Sequence, residues 1–103
     1  MIKVNAEELE KDLNGVVVFI VTDCVVCRNY LKELSNDNID TSDWKLFDCD
    51  ENLAYSMDTL KLDDMPTTRV YKDGEVIWQM SGILYDLQIN MLRGSLIATK
   101  EST

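Results

Sequence analysis

Two cysteines separated by two residues are the part of this sequence that could carry out chemistry. Cys24 and Cys27 follow an apolar run at residues 16–21 and begin a segment with apolar residues at helical spacing. On a first helical turn their Cα atoms would lie roughly 5–6 Å apart, which a disulfide bond tolerates. Free backbone N–H groups and the helix dipole would stabilise a thiolate at Cys24. The pattern predicts dithiol–disulfide exchange, with Cys24 as the nucleophile and Cys27 as the resolving thiol.

A zinc site and an inert pair of core cysteines are the alternative interpretations of this spacing. A structural zinc ion takes four cysteine or histidine ligands, whereas the chain has three cysteines and no histidine. We therefore expect no metal and no cofactor. The third cysteine, Cys49, falls in or at the end of a predicted core strand, and we expect it to be structural. Its alternative roles are regulatory oxidation and dimer formation.

Length and charge restrict the class of protein. The chain has 103 residues, so we expect one domain over residues 1–103. Its 19 acidic and 10 basic residues give a net charge of −9, which argues against binding a nucleic-acid backbone. No apolar run approaches the roughly 20 residues of a membrane span. The N-terminal residues do not resemble a signal peptide, so we expect a cytoplasmic monomer, in a compartment where disulfides are rarely structural.

Alternating strand and helix patterns must position the two cysteines. Strands are expected at residues 2–4, 16–21, 44–49, 67–71 and 76–80. Helices are expected at residues 6–13, 24–34, about 50–60 and 84–97. Asn5 and Glu8 have the spacing of a capping box, and Asp73-Gly74 is a hairpin signal. This order predicts an α/β fold: a mixed five-stranded sheet with helices on both faces and a terminal antiparallel hairpin.

The chain resembles thioredoxins over nearly its whole length, and three segments carry the resemblance. They are VVVFIVTDCVVC at 16–27, LFDCDENLAY at 46–55 and MPTTRVYKDGEVIWQMSG at 65–82. The resemblance implies the thioredoxin fold and reduction of disulfide-containing proteins. It also implies a thioredoxin-reductase-like enzyme or glutathione as the reductant. The atypical active-site residues further suggest a virus- or phage-encoded protein that supplies electrons to ribonucleotide reductase.

The same resemblance implies which residues bind the substrate. The Met65–Pro66 bond would be cis, and the backbone of Met65 would pair with the substrate as a short added strand. Gly82 would allow a partner to approach closely. The complete implied substrate-binding set is Val25, Val26, Met65, Pro66, Thr67 and Gly82.

Three positions depart from the family. Val25-Val26 replaces the usual Gly-Pro pair, and Val18 replaces a buried aspartate thought to move protons for the second cysteine. Asp23 replaces a tryptophan; it could cap the helix, and its charge would disfavour the Cys24 thiolate, whereas Arg28 would favour it. Without the buried acid, we predict a pKa for the Cys24 thiol at or below roughly 7.

Two other functions compete with a thioredoxin activity. A glutaredoxin-like, glutathione-dependent enzyme fits the Val-Val pair and the missing tryptophan. Against it, the segment from Ser81 to Leu84 lacks the double glycine expected at a glutathione carboxylate site. A thioredoxin-fold binding module with incidental cysteines is the second alternative.

Overall fold

A five-stranded mixed sheet organises the chain, with the spatial order β1-β3-β2-β4-β5. The computed structural model describes residues 1–11, 13–36, 41–62 and 64–82. Its strands are β1 Ile2–Val4, β2 Gly15–Ile20, β3 Lys45–Asp48, β4 Thr67–Lys72 and β5 Glu75–Ser81. Its helices are α1 Ala6–Leu9, α2 Val25–Asn36 and α3 Leu53–Asp58, with a 3₁₀ turn at Asp50–Asn52. The helix predicted at residues 84–97 lies outside the described residues.

The directions of the strands bring the predicted dithiol and the predicted substrate loop to the same end of the sheet. β3 is parallel to both β1 and β2, whereas β4 is antiparallel to both β2 and β5. In this register Phe19, near the end of β2, pairs with Thr67, the first residue of β4. Cys24 follows β2 and Pro66 precedes β4, so both lie at the same end of the sheet. The predicted mixed sheet and terminal hairpin are confirmed.

Helices cover both faces of the sheet, as predicted. The cluster beneath α2, called here the α2-side cluster, comprises Val16, Val18, Tyr30, Leu34, Trp44 and Val70. The cluster on the other face comprises Val4, Leu9, Leu13, Val17, Phe19, Phe47, Cys49 and Tyr71. Successive residues of β2 therefore enter opposite clusters, because side chains alternate across a strand. This explains why β2 is a continuous apolar run.

The first helix is shorter than predicted. Its capping box is present, with the amide of Glu8 donating to Asn5 Oδ1 at 3.0 Å. However, α1 ends at Leu9 rather than Leu13. The carbonyl of Leu13 accepts a hydrogen bond from the Gly74 amide of the β4–β5 hairpin at 2.9 Å. Leu13 is still buried, so its apolar side chain enters the core from a loop.

The orientation of the third helix also differs from expectation. Leu53, Met57 and Leu60 recur at helical spacing, which predicts that they line one apolar face of this helix, with Met57 in the core. This prediction is wrong, because Leu53 and Met57 are exposed. Ser56 is buried instead, and its hydroxyl donates to the carbonyl of Asn52 at 2.9 Å. The segment begins as the 3₁₀ turn, whose three residues per turn change the direction in which later side chains point.

The described helices include none with the length and apolar character needed to cross a membrane.

Candidate active site

Cys24 and Cys27 form a disulfide bond at the start of α2, with their Cα atoms 5.2 Å apart. This separation agrees with the sequence prediction and is typical of disulfides. Cys24 is half-buried, whereas the side chain of Cys27 is only 1% exposed. A partner molecule can therefore reach Cys24 but not Cys27, which is the division of roles that dithiol exchange needs.

The first turn of α2 directs a hydrogen-bond donor at the outer sulfur. The amide of Cys27 donates to Cys24 Sγ at 3.0 Å, and the amide of Arg28 donates to the Cys24 carbonyl at 3.1 Å. Cys24 itself therefore occupies the capping position that was predicted for Asp23. Asp23 lies exposed in the preceding turn. A thiolate at Cys24 would accept the same amide hydrogen bond and would be stabilised by the helix dipole.

Two carboxylates at the end of β3 hold the residues that precede Cys24. Asp50 Oδ2 accepts from the Thr22 amide at 2.7 Å, and Asp48 Oδ2 accepts from the Thr22 hydroxyl at 3.3 Å. Asp48 also accepts from the amide of Asp50 at 2.9 Å. Sequence reasoning missed these two residues. The sequence pattern that could have identified them is a pair of acidic residues at the end of β3. Because β3 is parallel to β2, the carboxyl ends of the two strands lie at the same end of the sheet.

The loop before β4 forms the second part of the site. The Met65–Pro66 bond is cis, as the resemblance implies. Pro66 is buried, and its carbonyl accepts a hydrogen bond from the Gly82 amide at 2.7 Å. Gly82 has φ +89°, a backbone conformation that glycine adopts without strain. This bond joins the loop to Gly82 at the end of the sheet where Cys24 also lies.

Thr67 differs from the other residues predicted to bind substrate. Its side chain is buried, and its hydroxyl donates to the carbonyl of Asp64 at 2.6 Å and lies 3.3 Å from Ser81 Oγ. The side chain of Thr67 therefore shapes the loop from inside and is not available to a substrate.

Comparison with solved structures shows which fold this is. The chain is similar to chloroplastic thioredoxin z, with 24% identity, a TM-score of 0.73 and 95% of each chain covered. It is similar to Chlamydomonas reinhardtii thioredoxin f2, with 19% identity, a TM-score of 0.68, and 92% of this chain and 95% of that chain covered. The chain has the thioredoxin fold. A third similar structure is the Malassezia sympodialis thioredoxin, with 19% identity, a TM-score of 0.67, and 91% and 90% covered. No protein-family model matches the sequence, and no curated protein matches it either.

An apolar surface lies beside Cys24 in this thioredoxin fold. Val25 is 63% exposed and Val26 is 45% exposed, although valine is ordinarily a core residue. Arg28, predicted to tune Cys24, is exposed one turn along α2, and Met65 is half-buried in the loop. A partner docking on Cys24 would cover the two valines and remove apolar surface from water.

An uncharged polar pair is buried between α2 and the sheet. Val18 is fully buried, and Thr68 lies opposite it in the β2–β4 register. Thr68 Oγ1 and the Tyr30 hydroxyl lie 2.9 Å apart. Burial raises the pKa of Tyr30 to about 12, partly offset by this hydrogen bond. Tyr30 therefore stays neutral throughout the pH range in which thiols titrate, and sequence reasoning missed this pair.

Cys49 is a buried free thiol on the opposite face of the sheet from α2. Burial raises the pKa of its thiol above the ordinary value, which suppresses the reactive thiolate. Its Sγ lies 3.9 Å from Met65 Sδ. These observations agree with the structural role expected for Cys49.

Proposed function

We propose that the protein reduces disulfide bonds in other proteins by dithiol–disulfide exchange through Cys24 and Cys27. The observation that carries this proposal is the asymmetric pair at the start of α2. The outer sulfur accepts an amide hydrogen bond and is accessible, and the inner sulfur is buried. The cis-proline loop lies at the same end of the sheet as the pair and would give the substrate a place to dock.

The reaction begins with the reduced dithiol. The Cys24 thiolate attacks one substrate sulfur, so a mixed disulfide forms and the other substrate sulfur leaves as a thiolate, which is then protonated. Cys27 loses its proton and attacks Cys24 Sγ. The Cys24–Cys27 disulfide forms, and the second substrate sulfur leaves. Two electrons have passed to the substrate, and an external reductant must restore the dithiol.

Substrate recognition combines the loop backbone with the apolar surface. The backbone of Met65 would pair with an extended substrate segment, and Gly82 would leave room for it. Val25 and Val26 would contact apolar side chains of the partner. Disulfide-containing proteins in a reducing compartment such as the cytoplasm are the proposed substrates, and ribonucleotide reductase belongs to that class. The reductant would be a thioredoxin-reductase-like enzyme or glutathione.

A disulfide-bonded protein substrate with dithiothreitol as the reductant tests this proposal. We expect the wild-type protein to accelerate reduction and Cys24→Ser to abolish the acceleration. Reduced Cys27→Ser, mixed with the substrate after dithiothreitol has been removed, should trap a mixed disulfide that mass spectrometry detects, because no thiol is then present to resolve it. Cys49→Ser, which also removes one thiol, is the matched control and should remain active. A wild-type protein that does not accelerate reduction, or an active Cys24→Ser variant, would refute the proposal.

The reduction potential of the pair then separates two kinds of reductant. A value near roughly −270 mV is that of thioredoxins, whereas glutaredoxins lie near roughly −200 to −230 mV. We expect the thioredoxin value. A stable glutathione adduct on Cys24 together with the higher potential would favour the glutathione-dependent alternative.

A further inference from the structure

One buried hydrogen bond joins the two halves of the site. Tyr30 lies three residues after Cys27 on α2, so the two side chains share a face of the helix. Thr68 lies two residues after Pro66, in β4. The Tyr30 hydroxyl and Thr68 Oγ1 are 2.9 Å apart, and both residues are 0% exposed. The helix that carries the dithiol is thereby tied to the strand that begins at the substrate loop.

The apolar surroundings of this hydrogen bond make its loss costly when α2 and β4 move apart. Tyr30 belongs to the α2-side cluster, whose other members are aliphatic or tryptophan side chains. A hydrogen bond in an apolar environment is strengthened by the low dielectric, and an unpaired hydroxyl there is costly. Replacing both partners with apolar groups of the same shape is nearly neutral for stability. The pair therefore fixes the position of α2 relative to β4, which an apolar pair would not do, and it adds little net stability.

A second hydrogen bond connects the start of β4 to the substrate loop. Thr67, the neighbour of Thr68, donates its hydroxyl to the carbonyl of Asp64 at 2.6 Å, one residue before Met65. A displacement of α2 relative to β4 would therefore change the spacing between Cys24 and the loop backbone. A protein substrate must engage both at once, whereas a small disulfide needs only Cys24.

We propose that Tyr30 and Thr68 are positioning residues that set the distance between the dithiol and the substrate loop, and so select for extended protein substrates. The inference rests on the proposed function. In this role the two side chains act through the spacing of α2 and β4, not by bonding to the reacting sulfurs. A change in this spacing would weaken the binding of the substrate segment by the loop, and a loss of such binding raises KM with little change in kcat.

Three variants separate positioning from stability: Tyr30→Phe, Thr68→Val and the double variant. Each single variant leaves one buried hydroxyl unpaired and should unfold at a lower urea concentration. The double variant should recover most of that loss. In all three, KM for a disulfide-bonded protein should rise about tenfold with little change in kcat. The rate constant for hydroxyethyl disulfide should stay at the wild-type value.

The double variant decides between the two roles. If its KM for the protein substrate returns to the wild-type value together with its stability, the hydroxyls serve only the fold and the proposal is overturned. It also keeps the test available if a single variant fails to fold. Tyr55→Phe, which alters a tyrosine on the opposite face of the sheet, is the matched control and should leave both rates unchanged. A wild-type protein inactive on protein disulfides but reactive with the small disulfide would instead overturn the proposed function.

Discussion

Arg69 of β4 makes a set of contacts whose loss should be measurable. The residue is 8% exposed. Its Nε donates to Gln79 Oε1 at 2.6 Å, Nη2 to the Leu60 carbonyl at 2.8 Å, and Nη1 to the Tyr71 hydroxyl at 3.3 Å. The guanidinium also lies 5.3 Å from the centre of the Phe19 ring. Arg69 thus joins the sheet to the segment that follows α3 and leads toward the cis-proline loop.

The cost of Arg69→Met follows from these contacts. Methionine keeps most of the apolar stem, so the main loss is the guanidinium. Gln79 is exposed and can bond to water. The Leu60 carbonyl and the Tyr71 hydroxyl lose a charged donor, at about 1–3 kcal/mol each where water cannot replace it. Loss of the contact with Phe19 adds about 1 kcal/mol, and relief of the buried charge offsets part of the total. We expect a net loss of about 2–4 kcal/mol in the free energy of unfolding.

Urea unfolding of the oxidised protein, followed by circular dichroism, measures this loss. In a thermal unfolding experiment, at about 4–8 °C per kcal/mol for a domain of this size, the melting temperature should fall by roughly 8–32 °C. Arg69→Lys should fall between the wild type and Arg69→Met, because one ammonium group cannot reach all three acceptors. Arg28→Met, on an exposed part of α2, is the matched control and should change stability by less than about 0.5 kcal/mol. An Arg69→Met variant as stable as that control would show that the cost of burying the guanidinium cancels its bonds.

Three further predictions concern the titrating groups. The rate of Cys24 alkylation by iodoacetamide against pH should give a pKa at or below about 7, because the Cys27 amide and the helix dipole stabilise the thiolate. Cys49, buried and with a raised pKa, should resist iodoacetamide at pH 8 until urea unfolds the protein, as mass spectrometry would show. Tyr30 has a folded pKa of about 12, against roughly 10 when unfolded, so its contribution to stability is present below pH 10 and is lost as pH rises toward 12. Compared with Tyr30→Phe, the wild type should lose about 2–3 kcal/mol more over that interval, measured as urea midpoints.

Each of these measurements has an outcome that contradicts its reasoning. For Cys24, measured in a Cys27→Ser, Cys49→Ser background so that one thiol titrates, a pKa above about 8 would contradict thiolate stabilisation. Alkylation of Cys49 at the rate of an exposed thiol would show that the native core opens readily. Equal losses of stability with pH in the wild type and Tyr30→Phe would show that Tyr30 is not desolvated.

Local patterns in the sequence predicted most of the site. The spacing of Cys24 and Cys27 sets their separation on one helical turn, so no tertiary information is needed. The continuous apolar run ending at Ile20 identified the central strand, and the Asp73-Gly74 pair identified the hairpin that closes the sheet. The cis bond at Pro66 came from family resemblance, since an X–Pro bond in a folded protein is cis in only about 5–6% of cases.

Contacts distant along the chain could not be predicted in the same way. Tyr30 and Thr68 are 38 residues apart, and each had the pattern of an ordinary core or strand residue. Arg69 likewise had the appearance of a charged residue in a strand, where exposure is the usual outcome. The prediction of the buried face of α3 was wrong because the 3₁₀ turn before the helix rotates the positions of the later side chains. The spacing of apolar residues in the sequence does not reveal such a turn.

The neutral character of the buried polar pair bears on how Cys27 loses its proton. Val18, which by resemblance stands where thioredoxins have a buried aspartate, is apolar and fully buried. The Tyr30 hydroxyl, one helical turn from Cys27, cannot accept a proton while its own proton is held with a pKa of about 12. Since neither position 18 nor position 30 supplies a base, the substrate thiolate just released is one group that can take the proton of Cys27 in the mixed disulfide. Resolution should therefore be faster for substrates whose leaving thiolate stays near the site, which is the kind of substrate that the cis-proline loop holds in place.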